Sequence, residues 1–218
     1  MQNKPIIGVF DSGVGGKSVA EALQKVLPDN QIIFKHDPEH FPYANKPADE
    51  LMQYVVPIIQ LLVAEGSQVI VIACNTVSTT LITRLREVIA VPLVAVEPMV
   101  KPAAKQTKSG KIIMCATPTT LASPRYEQLK NDFASGVTVF EPDCSDWSYL
   151  IENNLINRSH IDSRLQPGLD AGADVVVLGC THYHWIEQEI KQLVGSNVLV
   201  LQPESAIALR VTKLLTEL

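Results

Sequence analysis

Two cysteines occupy equivalent positions in the sequence, each at the end of an apolar run and just before small polar residues. QVIVIACNT places Cys74 between an alanine and Asn-Thr, and DVVVLGCTH places Cys180 between a glycine and Thr-His. At the start of a helix, exposed N–H groups attract a carboxylate and the helix dipole favours a thiolate. Either cysteine alone would be interpreted as a packing residue. Two of them at equivalent positions favour a functional role for both thiols.

A further proton-transfer group, Asp11, lies in the glycine-rich stretch FDSGVGG (10–16) after the first apolar run. The glycines allow a tight turn and a close approach of the backbone to a ligand. The stretch matches neither GxGxxG nor a P-loop, which requires a lysine before Ser or Thr. A strand-to-helix turn with Asp11 or Ser12 as the N-cap is an equally good interpretation, beside that of a carboxylate acting next to a thiol.

Histidines near Cys180 suggest two other kinds of site. His182 and His184 could join the thiol as metal ligands, but no second cluster with zinc-like spacing completes a set, so no metal is predicted. A Cys–His hydrolase is the other alternative, and it leaves the first thiol without a role. Cys115 and Cys144 lack comparable neighbours and are predicted to be packing residues.

Short apolar runs alternate along the chain with longer segments of helical periodicity. Strands that are apolar on both faces and alternate with helices are typical of parallel sheets covered by helices on both sides. The predicted fold class is therefore α/β. The eight predicted strands are residues 6–10, 31–35, 68–73, 92–96, 111–116, 137–140, 174–179 and 198–201.

The sequence also contains a weak internal repeat. A shift of 106 residues, which aligns Cys74 with Cys180, aligns further pairs of apolar runs. We infer two pseudo-symmetric parallel-sheet lobes of the Rossmann/flavodoxin-like kind, residues 1–98 with 205–218 and residues 99–204. Ligands of open α/β sheets bind beyond the carboxyl ends of the strands, so both thiols are expected on opposite walls of one cleft. The alternative is that the common spacing of α/β proteins produces the repeat by itself.

Composition limits the partners and the cellular location. The 218 residues are 46% hydrophobic and 19% charged, and the net charge of −5 provides no basic surface for nucleic acid or an anionic membrane. No apolar stretch approaches the roughly 18 residues that span a bilayer. Four cysteines without a CxxC pair, and no secretory signal pattern, predict reduced thiols in the cytoplasm.

The motifs together resemble those of the glutamate racemases, in the cofactor-independent aspartate/glutamate racemase superfamily. FDSGVGG, FPYANK, ACNT, VEPMVKPA, ATPTTLAS and LGCTHYH occur in the order seen in that family, and the resemblance extends from Ile6 to Leu218. The first glycine loop favours glutamate over aspartate. The resemblance implies cofactor-independent racemisation of glutamate, supply of D-glutamate for peptidoglycan, and the option of a homodimer.

The resemblance also implies roles for individual residues. Cys74 would take the α-proton from D-glutamate and Cys180 from L-glutamate. Asp11 matches the carboxylate beside the first thiol, and His182 matches the histidine beside the second. Glu152, which spacing alone would make a surface carboxylate, matches a glutamate that assists the second thiol. The matches assign substrate binding to Asp11, Ser12, Tyr43, Ala44, Asn75, Thr76, Thr120, Thr181 and His182, and Thr117 shares a weaker ATxxT signature with Thr120.

Three positions depart from the family pattern. Ala44 replaces the glycine of PYG, His36 replaces the glycine before Asp37, and His184 replaces the proline of GCTHYP. If the replaced glycine requires a positive φ, Ala44 strains the loop that is expected to bind substrate. The alternatives are a racemase of another amino acid, aspartate first, and a two-lobed binder or regulator without turnover. The intact acid/base set argues against the binder.

Overall fold

The computed structural model describes residues 4–217, whose strands form two four-stranded sheets, both entirely parallel. The first sheet has the order β2-β1-β3-β4 and contains β1 (Ile6–Asp11), β2 (Ile32–His36), β3 (Ser67–Ile72) and β4 (Leu93–Ala95). The second has the order β6-β5-β7-β8 and contains β5 (Lys111–Ala116), β6 (Thr138–Phe140), β7 (Val175–Gly179) and β8 (Leu199–Leu201). The α/β class is confirmed, and each predicted strand matches to within one residue at either end.

Helices connect these strands, as parallel pairing requires. They are α1 (Lys17–Val26), α2 (Ala48–Ala64), α3 (Asn75–Val88), α4 (Val100–Gln106), α5 (Pro118–Leu121), α6 (Pro124–Phe133), α7 (Trp147–Glu152), α8 (Arg158–Asp170), α9 (Glu187–Val194) and α10 (Glu204–Leu215). Short 3-10 helices occupy Val14–Gly16 and Thr181–Ile186. None of the helices within residues 4–217 has the length and apolar character needed to cross a membrane.

The chain divides into two compact units, each built on one sheet. The first unit runs to Glu97 and resumes at Pro203, and the second is Pro98–Gln202. The C-terminal helix α10 therefore belongs to the first unit, where it packs against α1 and β4.

Alternate residues of the first sheet enter separate apolar clusters on its two faces. Phe10 and Ile72 pack with residues of α2 and α3, whereas Val9 and Val71 pack with residues of α1 and α10. All four side chains are fully buried. Burial of an aliphatic or aromatic side chain of this size contributes about 1.5–3 kcal/mol, so both helical layers hold the sheet and the loops at its carboxyl edge.

The second unit has the same layered construction. Met114 and Val177 face a cluster formed with α4 and α6, and Leu178 faces a cluster formed with α7, α8 and α9. Cys115 and Cys144 lie in the latter cluster, with at most 1% of either residue exposed. The prediction that these two cysteines are packing residues is confirmed.

Candidate active site

Each of the two singled-out thiols follows the carboxyl end of the third strand of its sheet. Cys74 lies just beyond β3 and is the N-cap of α3, and its carbonyl accepts a hydrogen bond from the Ser78 N–H at 2.9 Å. Cys180 follows β7 directly, and its carbonyl accepts from the Tyr183 N–H at 3.0 Å. The second bond spans three residues, not four. The chain after Cys180 is therefore a 3-10 helix, not the start of an α-helix that the sequence predicted.

The first thiol has a hydroxyl from the turn after β1 as a neighbour, and the carboxylate of Asp11 lies at the end of that strand. Ser12 Oγ lies 3.3 Å from Cys74 Sγ, and both residues are buried. Asp11, fully buried at the end of β1, accepts a hydrogen bond through Oδ2 from the Gly16 N–H at 2.8 Å. A Cβ added to Gly16 would lie 2.5 Å from the Asp11 Cβ, so the turn requires glycine to hold the carboxylate this closely.

Asn75, the residue after the first thiol, has an amide with no hydrogen-bonding partner within residues 4–217. The residue is only 3% exposed, yet neither its Oδ1 nor its Nδ2 is bonded. Buried amides are normally hydrogen-bonded, since desolvation without a partner costs about 1–3 kcal/mol. The amide of Asn75 is therefore available to hydrogen-bond a polar group brought to the residue after Cys74.

Tyr43 belongs to the same neighbourhood. Its hydroxyl donates to Asp37 Oδ2 at 2.7 Å, and Asp37 also contacts His40 Nδ1 at 2.8 Å. Burial, followed by the hydrogen bond to Asp37 and the nearby Cys74 and Asp11, raises the pKa of Tyr43 above its ordinary range. Tyr43 is therefore a neutral donor whose hydroxyl is fixed by the loop after β2.

The second thiol lies beside an imidazole–carboxylate pair. Cys180 Sγ is 4.0 Å from His182 Nδ1, and His182 Nε2 is 2.6 Å from Glu152 Oε2. His182 is 2% exposed and the Glu152 side chain 26%. Glu152 is therefore not the free surface carboxylate that spacing alone suggested. Its contact with Nε2 fixes the orientation of the imidazole, whose Nδ1 faces the sulfur.

Sequence reasoning missed one neighbour of the second thiol, Ser148. Its Oγ lies 3.5 Å from Cys180 Sγ, and the residue is 6% exposed. Ser148 precedes Glu152 by one turn of α7, so both residues lie on the same face of that helix. The spacing of a serine four residues before Glu152 is the signal that could have identified it.

The predicted threonines lie at the starts of helices. Thr117 is the N-cap of α5, where its hydroxyl accepts from the Thr120 N–H at 3.3 Å and donates to Thr120 Oγ1 at 2.9 Å. Thr76 and Thr181 each lie one or two residues after a thiol, and both are buried. Thr120 is fully buried within this local cap, so its hydroxyl also has a structural role.

The departures from the family pattern are accommodated locally. Asn154 is the only non-glycine residue with a positive φ among residues 4–217, so Ala44 does not occupy a left-handed conformation. The strain expected at Ala44 is therefore absent. His184 is buried with Nε2 at 3.4 Å from the Leu178 carbonyl, an anchor to β7. His36 pairs with Asp11 across β1 and β2 and stacks on Phe34.

A metal site is not formed by the histidines near the second thiol. No group of three or more His, Cys, Asp or Glu side chains in the described chain is placed to hold a metal ion. Each thiol instead has a serine hydroxyl within hydrogen-bonding distance of its sulfur, and Cys180 also has the His182 imidazole at 4.0 Å. This arrangement suits a thiol that takes a proton from, or gives a proton to, a carbon, nitrogen or oxygen atom of a ligand.

Comparison with known proteins places these residues in a family context. Residues 16–210 match a family model described as Asp/Glu/Hydantoin racemase. A glutamate racemase of Roseiflexus sp. (strain RS-1) is 36% identical over 216 residues, which is 97% of this chain and 79% of that protein.

Solved structures give the same relation. A crystal structure of Escherichia coli glutamate racemase, in complex with L-glutamate and the activator UDP-MurNAc-ala, matches with a TM-score of 0.91 and 32% identity, covering 98% of this chain and 83% of that chain. Glutamate racemase of Francisella tularensis subsp. tularensis SCHU S4, in complex with D-glutamate, matches with a TM-score of 0.82 and 25% identity over 100% of this chain and 82% of that chain.

Proposed function

The chain belongs to the Asp/Glu/Hydantoin racemase family and is thus an amino-acid racemase, an isomerase, and we propose that its substrate is glutamate. The observation that carries the proposal is the pair of thiols, Cys74 and Cys180, each following the third strand of its own sheet with a hydroxyl within hydrogen-bonding distance of its sulfur. The relatives named as glutamate racemases support glutamate over other amino acids.

In the proposed reaction, the two thiols act on opposite faces of one substrate. The Cys74 thiolate removes the α-proton of D-glutamate, leaving a planar carbanion, and the Cys180 thiol delivers its own proton to the other face. The product is L-glutamate, with Cys74 protonated and Cys180 a thiolate. The reverse reaction exchanges these roles. No redox change occurs and no group other than a proton is transferred.

Acid/base groups beside the thiols assist each transfer. An ordinary cysteine has a pKa of about 8.5, so a partner that accepts the thiol proton increases the thiolate fraction near neutrality. Asp11 serves Cys74 in this role, and His182 serves Cys180 with Glu152 orienting its imidazole. These assignments make all five residues part of the catalytic set.

Neutral donors bind the substrate and stabilise the charge that develops on its α-carboxylate. The unbonded amide of Asn75 supports this assignment most directly. Preorganised donors that meet developing charge commonly contribute several kcal/mol to catalysis. With Asn75 we assign this role to Ser12, Thr76, Thr181 and the backbone at Ala44. We place Tyr43, whose hydroxyl proton is donated to Asp37, and Thr120, whose hydroxyl belongs to the cap of α5, in the wall of the substrate site. Asp11 and His182 bind the substrate amine and carboxylates in this proposal.

We further propose that neither pyridoxal phosphate nor a metal takes part, and that the enzyme supplies D-glutamate for peptidoglycan in the cytoplasm. A homodimer is compatible with this role.

A chiral assay of the purified protein tests the substrate. L-Glutamate and D-glutamate, supplied separately, should both reach an equal mixture after exhaustive dialysis against a chelator and without added pyridoxal phosphate, and L-aspartate should be racemised with a lower kcat/KM. Equal or faster racemisation of aspartate would contradict glutamate as the substrate. Binding of glutamate without any conversion would identify the protein as a non-catalytic binder.

A further inference from the structure

We propose that Ser148 is a positioning residue that donates its hydroxyl proton to the Cys180 thiolate, the counterpart of Ser12 beside Cys74 in the other unit. The inference rests on the proposed function for its catalytic meaning. Ser148 Oγ is 3.5 Å from Cys180 Sγ and Ser12 Oγ is 3.3 Å from Cys74 Sγ. The two serines come from unrelated elements, a turn after β1 and the helix α7, so the motif repeat does not produce this match.

The neighbours of Ser148 determine in which direction its proton is donated. The single hydroxyl proton of Tyr183 is donated to the Cys144 carbonyl at 2.8 Å, which leaves the Tyr183 oxygen as an acceptor. Burial raises the pKa of Tyr183, and the neighbouring Ser148 hydroxyl partly offsets this. Ser148 can therefore donate either to the Tyr183 oxygen or to the Cys180 sulfur. A thiolate is the stronger acceptor, because a hydrogen bond to a charged group is roughly twice as strong as a neutral one.

This arrangement accommodates both protonation states of Cys180 by rotation of one hydroxyl. When Cys180 is a thiolate, the Ser148 proton turns to the sulfur. When Cys180 is a thiol, the Ser148 proton turns to Tyr183, and the thiol proton is free to point elsewhere. A racemase alternates between these states at each turnover, so a rotating donor serves both halves of the reaction. The titratable groups that surround this site are His182, Glu152, Tyr183, Cys144 and Cys115.

Helix α7 supplies both supports of the second thiol. Ser148 reaches the sulfur directly, and Glu152, one turn later, reaches it through His182. Ser148 and the neighbouring Trp147 are buried, and the Trp147 ring packs edge-on to Tyr183 with centroids 5.1 Å apart. The packing of Trp147 fixes the rotation of α7 and hence the position of the serine.

The test compares the two thiols within one protein molecule. The rate of iodoacetamide alkylation at Cys74 and at Cys180 is measured against pH by peptide mass spectrometry, in the wild type, Ser148→Ala, Ser148→Thr and Ser12→Ala. Loss of a hydrogen bond to a charged sulfur should move the midpoint of the Cys180 profile up by about one pH unit in Ser148→Ala and leave the Cys74 profile unchanged. Ser148→Thr should restore the profile, and Ser12→Ala should move only the Cys74 midpoint.

The result is interpretable whether or not the protein racemises glutamate, because alkylation requires no substrate. A Cys180 midpoint that does not move in Ser148→Ala, or both midpoints moving together, would overturn the inference while leaving the chiral assay to decide the function. Ser148→Ala should unfold at nearly the wild-type temperature. If it does not, Ser148→Thr and Ser148→Cys, which keep a donor at the same position, should retain a wild-type Cys180 midpoint.

The catalytic consequence is measured in single-thiol backgrounds. In Cys74→Ala, where Cys180 is the remaining base, Ser148→Ala should lower α-deuterium uptake into L-glutamate about tenfold. In Cys180→Ala, the same substitution should leave uptake into D-glutamate within about twofold. An equal loss in both backgrounds would show that Ser148 has only a structural role.

Discussion

A cysteine thiolate is a weak base for a carbon-bound hydrogen, so the groups next to each sulfur decide how well the proposed reaction proceeds. Ser12 lies next to Cys74, to which Asp11 at the end of β1 is assigned as the acid/base group, and Ser148 and His182 lie next to Cys180. The acid/base group is a carboxylate on one side and an imidazole on the other. The two half-reactions are therefore not equivalent in their dependence on pH.

The two core cysteines provide a residue-scale prediction. The hydrogen bond between the Cys144 and Cys115 thiols, together with burial, raises the pKa of Cys144 above its ordinary range. Since the thiolate is the nucleophile, Cys144 in the folded protein should react with iodoacetamide at pH 8 at least about tenfold more slowly than Cys74 or Cys180. Peptide mass spectrometry measures the four rates.

Unfolding in urea serves as the control for this labelling, because all four cysteines should then react at similar rates. Glutamate at saturating concentration should further protect Cys74 and Cys180 in the folded protein. Modification of Cys144 as fast as that of Cys180 in the native state would contradict the assignment of a buried, protonated thiol.

The residues that the sequence could identify were those whose motif is contiguous. Cys74 with Asn75 and Cys180 with His182 come directly after apolar runs that predict strands. Their location at the carboxyl ends of those strands could therefore be predicted. Ser148 and Glu152 belong to no motif contiguous with Cys180, since they precede it by about thirty residues. The packing of α7 against the 3-10 helix Thr181–Ile186 brings them to the second thiol.

At the scale of elements, the strands were predictable and the turn after Cys180 was not. Apolar runs that are buried on both faces are visible in sequence, and all eight were recognised. The 3-10 helix Thr181–Ile186 was not, because the sequence shows a polar start of a helix after Cys180 but does not distinguish three-residue from four-residue hydrogen bonds.

Asp174 provides the element-scale prediction, since it ties the turn before β5 to the start of β7. Partial burial tends to raise its pKa, but hydrogen bonds from the Thr107 hydroxyl and the N–H groups of Lys108 and Ser109 outweigh burial and hold the pKa at about 2. The unfolded value is about 3.9. The carboxylate therefore stabilises the fold above pH 4, and this contribution is lost as the pH falls towards 2.

Thermal unfolding measures this contribution. Asp174→Asn should lower Tm relative to the wild type at pH 6, and the difference should shrink steadily below pH 4. Asp132→Asn, at an exposed position of α6, is the matched control and should not show this trend. A difference between wild type and Asp174→Asn that stayed constant from pH 6 to pH 3 would refute the assignment.

At the scale of the whole molecule, the two units have equivalent topology. Both sheets place the first strand of the unit second in the order, between its second and third strands, and each unit carries its thiol directly after the third strand. The weak repeat in the sequence predicted this correspondence, because it aligned strand ends and not only composition. The cores of the units are separate apolar clusters, so each can position its own thiol.

The details of substrate recognition could not be predicted from the sequence. The loop at residues 36–46 is proposed to contact the substrate, and the Tyr43 hydroxyl in it is fixed by its hydrogen bond to Asp37. The sequence pattern alone does not predict a contact of this kind between two side chains of a loop. The fold could thus be predicted from periodicity, whereas the details of recognition depend on the packing of individual loops.

The most direct test of the two-thiol reaction is α-hydrogen exchange in heavy water by the single-thiol variants. Cys74→Ala should incorporate deuterium slowly into L-glutamate with retention of configuration, because Cys180 can remove a proton and return a deuteron to the same face. Cys180→Ala should do the same for D-glutamate, and neither should racemise. The ratio of uptake between enantiomers, followed by NMR and chiral chromatography, is the measured quantity. Equal uptake by both enantiomers in either variant, or racemisation that survives in both, would contradict two opposed thiols as the bases.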